Sequence, residues 1–123
     1  MNKILIVDDS EMARASMSFS LKSKRYGVVE AVNGKDALVK LSEHQDIGLV
    51  ITDLNMPAMD GVALIQKVRQ SDRNKDLPIY VITTEQKTGE EVIKKGATGV
   101  IIKSGKTSEE IHKIVSQYVS PTE

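Results

Sequence analysis

Three carboxylates in this sequence stand directly behind short apolar runs: Asp8 and Asp9 follow Ile4–Val7, and Asp53 follows Leu49–Thr52. Two other runs end in different functional groups. Ile79–Thr83 delivers the hydroxyls of Thr83 and Thr84, and Val100–Ile102 delivers the ammonium of Lys103. If each run is a strand of one parallel sheet, these groups gather on a single rim, because an open α/β sheet has its functional crevice outside the carboxyl ends of its strands. Acids crowded there repel one another, and their pKa values rise unless a cation neutralises them. A few carboxylate oxygens with room for water suit Mg²⁺. The chemistry on offer is that of a metal-assisted carboxylate flanked by a hydroxyl and an amine.

The elements that must position this rim are also written in the chain. Ile4–Val7, Val28–Val32, Leu49–Thr52, Ile79–Thr83 and Val100–Ile102 are rich in β-branched residues and mostly continuous rather than alternating. Strands covered on both faces read that way. Helical stripes lie between them: Gly34, Ala37, Leu38 and Leu41; Gly61, Leu64, Ile65 and Val68; and Ile111, Ile114, Val115, Tyr118 and Val119. A first helix over about Ser10 to Lys24 is expected to present Met12, Ala15 and Phe19 on one face and to be capped by Ser10. Thr107-Ser108-Glu109-Glu110 gives the last helix an acidic start, with Ser108 three before Ile111. Between Glu85 and Gly96 the apolar residues are Val92 and Ile93, with Gly89 inside, so that helix is expected to be short and loosely held. The β-α unit repeated five times predicts an α/β fold with a parallel sheet, right-handed crossovers and helices on both faces.

Composition sets the outer bounds. A chain of 123 residues fits one domain, expected over residues 1–119 with a frayed tail at 120–123. Lys plus Arg and Asp plus Glu stand at 17 each, which gives no basic field for direct nucleic-acid binding. Cysteine is absent, so disulfides and thiolate metal sites are excluded. No segment approaches the ~20 apolar residues of a membrane span, and the N-terminal run is far shorter than the ~7–15-residue apolar stretch of a signal peptide. A cytoplasmic monomer is the expectation.

With these residues in place, the sequence resembles the receiver domain of two-component response regulators, of the single-domain type found in chemotaxis. The resemblance rests on Asp8-Asp9, on Asp53-Leu54-Asn55-Met56-Pro57-Ala58-Met59-Asp60-Gly61, on Thr83 and on Lys103, and it spans essentially the whole chain. It implies a flavodoxin-like doubly wound (βα)5 fold with strand order 2-1-3-4-5; a chemotaxis regulator is a standard example of that order. It also implies that Asp53 is the nucleophile and becomes an acyl phosphate. Asp9, Asp53 and the carbonyl of Asn55 would hold Mg²⁺ with help from Asp8, and Mn²⁺ could substitute. Lys103 would pair with a phosphoryl oxygen, Thr83 would move its hydroxyl onto another, and Met56 and Thr84 would lie beside the group. The donor would be a histidine kinase or a histidine phosphotransfer protein. With no output domain in this chain, a downstream protein target would dock on the face of the fourth helix, fifth strand and fifth helix. A receiver belonging to a larger regulator would read identically.

Plainer roles suit several of these residues. Asp60 reads as a helix cap, Pro57 as a turn former and Asn33-Gly34 as a turn and helix start. His44 and His112 read as solvated surface residues, and Lys22 to Arg25 and Lys94-Lys95 as solvated faces. The chain departs from the family at three points. Ser104 replaces the usual proline after Lys103, so a trans peptide or visible strain is expected there. Val100 replaces the common inward-turning aromatic, and Thr84 replaces a small residue and is expected to narrow access to the phosphoryl group. These departures keep a non-phosphorylated pseudo-receiver scaffold in view. An aspartate-based phosphatase would need a second acid where Asn55 stands, and a flavin carrier would not place Asp8-Asp9 against a phosphate.

Overall fold

The computed structural model describes residues 2–54, 56 and 59–122. Five strands and five helices alternate: β1 (Lys3–Val7), α1 (Glu11–Ser23), β2 (Gly27–Ala31), α2 (Gly34–Glu43), β3 (Ile47–Asp53), α3 (Gly61–Gln70), β4 (Ile79–Thr83), α4 (Gln86–Lys94), β5 (Gly99–Ile102) and α5 (Thr107–Tyr118). The strands form one parallel sheet in the order β2-β1-β3-β4-β5, as the resemblance implies.

The sheet divides the core in two. Leu5, Val7, Val50 and Val81 point to the side covered by α2, α3 and α4, where they meet Ala37, Leu41, Leu64, Ile65, Val68 and Val92. Ile4, Ile6, Leu49, Ile51 and Ile82 point to the opposite side and meet Leu21 of α1 and Ile111, Val115 and Val119 around α5. Continuous apolar strands are thus buried on both faces. Complete burial of each such side chain contributes about 1.5–3 kcal/mol, which fixes the strand ends that carry the rim.

Helix starts follow the caps read from sequence. The side chains of Ser10, Asn33 and Asp60 accept the amides of Ala13, Asp36 and Ala63. The last helix differs: Lys106 occupies its cap position without a side-chain hydrogen bond, and Ser108 is no cap. α1 ends with Arg25 at φ 69, the left-handed position that glycine favours, and Tyr26 N donates to the carbonyl of Leu21.

The structure corrects three expectations. The face of α1 bearing Met12 and Phe19 points outward, with those residues 83% and 77% exposed, and the inward face carries Met17, Ser18 and Leu21. Polar residues at inward positions, Arg14 and Ser18, make the outer stripe look the more apolar. Both histidines are half-buried and partnered: His112 Nε2 lies 2.7 Å from Ser20 Oγ, and His44 Nδ1 lies 3.4 Å from Lys3 Nζ. The tail turns back, for the amide and hydroxyl of Thr122 both donate to the carbonyl of Arg25 at 2.8 Å. α4 is short, as expected. Val92 anchors it, and Gly89 lets it approach β5 so closely that an added Cβ would lie 2.8 Å from Val100 Cγ1.

Candidate functional site

β1 and β3 run side by side with Val7 paired to Thr52, so Asp8 and Asp53 leave the sheet abreast of each other. β3 pairs Asp53 with Ile82, and β4 pairs Thr83 with Ile102, which puts Thr83 and then Lys103 one step further along the same rim. Parallel pairing alone therefore gathers the groups that the apolar runs end in.

Asp8, Asp9 and Asp53 each offer a carboxylate oxygen within 4.8 Å of the others. Asp8 is buried, Asp53 half-buried and Asp9 exposed. The amide of Asp8 donates to the carbonyl of Ala31 at 3.2 Å, and its Oδ1 accepts the amide of Ser10 at 2.9 Å. Burial pushes the Asp8 carboxyl above its ordinary value. The Ser10 amide opposes that shift, the charge of Asp53 adds to it, Lys103 again opposes it, and Asp9 adds a little more. Asp53 is oriented by the amide of Leu54, which donates to its Oδ1 at 2.8 Å, and the Thr52 hydroxyl donates to its carbonyl at 2.8 Å.

Thr83 is buried, and its Oγ1 accepts the amide of Glu85 at 3.3 Å. Lys103 follows β5; its amide donates to the carbonyl of Thr83 at 2.9 Å, and its side chain is exposed. No cis peptide occurs among the described residues, so the bond from Lys103 to Ser104 is trans, as expected without proline. A hydroxyl-built turn shapes the loop instead: Thr107 Oγ1 accepts the amide of Ser104 at 2.7 Å and donates to its carbonyl at 2.8 Å. A groove of about 340 Å³ beside Asp8 runs past Met17, Ile82, Lys103 and Thr107.

The remaining candidates divide. Thr84 is exposed at the end of β4. Met56 is buried in the core beneath α2, α3 and α4, so its thioether serves packing and any contact with a phosphoryl group would come from its backbone. Asn55 and Pro57 lie outside the described residues.

A family model described as the response regulator receiver domain matches residues 4–116, most of the length that builds this rim. The chain belongs to the response regulator receiver family. Among characterised relatives, the chemotaxis protein CheY1 of Helicobacter pylori is 40% identical over 104 residues, covering 82% of this chain and 84% of that protein. Among solved structures, the chemotaxis response regulator CheY4 of Vibrio cholerae superposes with a TM-score of 0.83 at 34% identity, over 94% of this chain and 98% of that one. The response regulator TrrA of Thermotoga maritima, solved in complex with Mg²⁺ and BeF, gives 0.80 at 28% identity over 94% and 98%. In both sequence and fold this receiver is thus chemotaxis-like.

Three residues position the receiver rim in ways that the sequence reading does not assign. Gly61 opens α3 so close to β3 that a Cβ there would lie 2.8 Å from the carbonyl oxygen of Asp53. Thr107 builds the turn behind Lys103, and Arg14 reaches from α1 to the backbone of Asp8. The glycine in the motif is a visible signal. The other two look like ordinary polar positions on helices.

Proposed function

We propose that this receiver accepts a phosphoryl group on Asp53 from a phosphohistidine of a histidine kinase or histidine phosphotransfer protein, and signals to a protein target through α4, β5 and α5. The observation that carries it is the convergence of Asp8, Asp9 and Asp53 within 4.8 Å on one rim, next to Thr83 and Lys103. It is a signalling protein, and the chemistry it performs is on itself.

In the transfer, an oxygen of Asp53 bonds to phosphorus as the phosphorus–nitrogen bond of the donor breaks, and the imidazole leaves with the electron pair. The all-oxygen acid cluster, with one buried member whose carboxyl is held up by burial and like charge, fits a hard divalent cation. Asp8, Asp9 and Asp53 would hold Mg²⁺, with Mn²⁺ a substitute; when bound it neutralises charge on the transferring phosphoryl group and aligns it. The amide of Leu54 holds the Asp53 carboxylate in place for in-line attack. Lys103 supplies a cation to a phosphoryl oxygen. Among the described residues the Thr83 hydroxyl accepts from the Glu85 amide and donates to no partner, so its hydrogen can serve another phosphoryl oxygen. Drawing that hydroxyl toward Asp53 loosens its bond to the segment that starts α4. A local charge change then biases a nearby element, and α4 and β5 carry it to a partner.

The test is an amide NMR comparison with and without phosphoramidate and Mg²⁺. Shifts that spread from the rim to α4 and β5 in the wild type and vanish in Asp53→Asn are expected. Shifts confined to Asp8, Asp9 and Asp53 would overturn the proposed output face.

A further inference from the structure

The acid pair at the end of β1 is held by a cation that takes no part in the phosphoryl chemistry. Arg14 lies in the first turns of α1, its side chain only 13% exposed. Its Nη1 donates to the backbone carbonyl of Asp8 at 2.8 Å, and its Nε donates to Glu30 Oε1 at 3.2 Å. Glu30 stands on β2 opposite Ile6, two residues before Asp8. The carbonyl of Asp8 belongs to the peptide that joins Asp8 to Asp9. That short segment is therefore fixed from several sides: the Asp8 amide by Ala31, the Asp8 carboxylate by the Ser10 amide and the Asp8 carbonyl by Arg14.

We propose that Arg14, braced by Glu30, is a positioning residue that sets the plane of the Asp8–Asp9 peptide and thereby presents both carboxylates to the divalent cation. The inference rests on the metal-binding role proposed above. A planar guanidinium suits this task because two of its N–H groups diverge in a fixed fork, one to a neutral carbonyl and one to a carboxylate. Lysine offers a point charge on a flexible stem and cannot hold both acceptors in fixed directions. The consequence falls on the geometry of the cluster. Asp9 is the member it affects most, because that side chain is exposed and makes no hydrogen bond of its own among the described residues. Without the brace, the peptide between the acids can rotate, and the cation must order it on binding.

Loss of an outer partner that orients a metal ligand typically weakens affinity by about 10–100-fold. Mg²⁺ titrations by calorimetry, at a temperature where every variant is folded, should show Arg14→Met weaker than wild type by about tenfold or more. Arg14→Lys, which keeps the charge, should recover only part of this loss. Glu30→Gln keeps an acceptor but removes the charge that anchors the guanidinium, so it should weaken binding in the same direction by a smaller factor, and it serves if Arg14→Met does not fold. In phosphorylation by acetyl phosphate, the Mg²⁺ concentration for half-maximal rate should rise while the rate at saturating Mg²⁺ stays near wild type. A residue that only tied α1 to β2 would lower the melting temperature and leave the Mg²⁺ affinity of the folded protein unchanged. That result, in a wild type that does bind Mg²⁺, overturns the role of Arg14 alone. A wild type that fails to bind Mg²⁺ overturns the metal site and this inference with it.

Discussion

Replacing Asp8 by asparagine should make the metal-free protein more stable while removing its stabilisation by Mg²⁺. The substitution is isosteric, and an amide oxygen can still accept the Ser10 amide that now donates to Asp8 Oδ1 at 2.9 Å. The change removes a buried charge facing two others. Carboxylate oxygens of Asp8, Asp9 and Asp53 lie within 4.8 Å of one another; at that separation one pair repels by about 3 kcal/mol at an effective dielectric of about 20 and by about 1 kcal/mol in water. Asp9 is exposed, so its share lies near the lower figure, and Lys103 offsets part of the rest. A net gain of about 1–3 kcal/mol follows, and at roughly 3–5 °C per kcal/mol for a domain of this size the melting temperature should rise by roughly 3–15 °C. The sign of the pH dependence is fixed by the same group. Its carboxyl titrates above its unfolded value near 3.8, so the folded state holds the proton more tightly than the unfolded one. The contribution of this group is present in full below 3.8 and is lost as pH rises through the higher folded value, after which the charged form is penalised. The gap between variant and wild type should therefore be widest near neutral pH and close on acidification. Calorimetric melts in chelator from about pH 4 to about 8, repeated with Mg²⁺, give both readings. A variant that is equally or less stable than wild type at neutral pH would show that the acids are not in electrostatic conflict.

Other parts of the structure make equally definite demands. Gly61→Ala forces backbone to move, since its Cβ would meet the Asp53 carbonyl oxygen at 2.8 Å and Leu54 Cα at 3.1 Å; a loss of about 1–3 kcal/mol in urea unfolding is expected, together with slower phosphorylation, and an unchanged variant would mean that α3 does not set the position of Asp53. The Tyr80 hydroxyl is pushed up to about 12, first by its hydrogen bond to Tyr118 at 3.1 Å and then by burial. Tyr118→Phe should bring it back toward 10.0, read as phenolate absorbance against pH. Val100→Tyr sets a ring where Val100 now touches Gly89, so α4 should be displaced and the α4–β5 amide shifts on phosphorylation should change; an unaltered shift pattern would mean that this position has no part in the output.

Much of this site is legible without coordinates, because the strands of a doubly wound sheet announce themselves as short β-branched runs and their last residues must share one edge. Asp8, Asp53, Thr83 and Lys103 each stand at the end of a run or directly behind it, and parallel register delivers them together. Caps are equally readable at Ser10, Asn33 and Asp60, where a short side chain meets the first free amides. Helix α1 misleads for a physical reason. Its inward positions hold Arg14, which donates to the carbonyl of Asp8, and the buried Ser18, while Met12 and Phe19 face solvent. Counting apolar residues finds the wrong stripe whenever polar groups are needed inside. The partners of His112 and Thr122 are illegible for another reason: each lies across the fold, 92 and 97 residues away along the chain. Nothing local marks such a contact.

The central claim is chemical, and intact-mass analysis meets it most directly. Wild type and Asp53→Asn are incubated with acetyl phosphate, with Mg²⁺ or with chelator, and quenched rapidly so that hydrolysis does not hide the product. One added phosphoryl group, seen only in wild type and only with Mg²⁺, is the predicted result. No added group in wild type under rapid quench would contradict phosphoacceptance and leave a scaffold built on the receiver fold. A group retained in Asp53→Asn would place the acceptor at another residue.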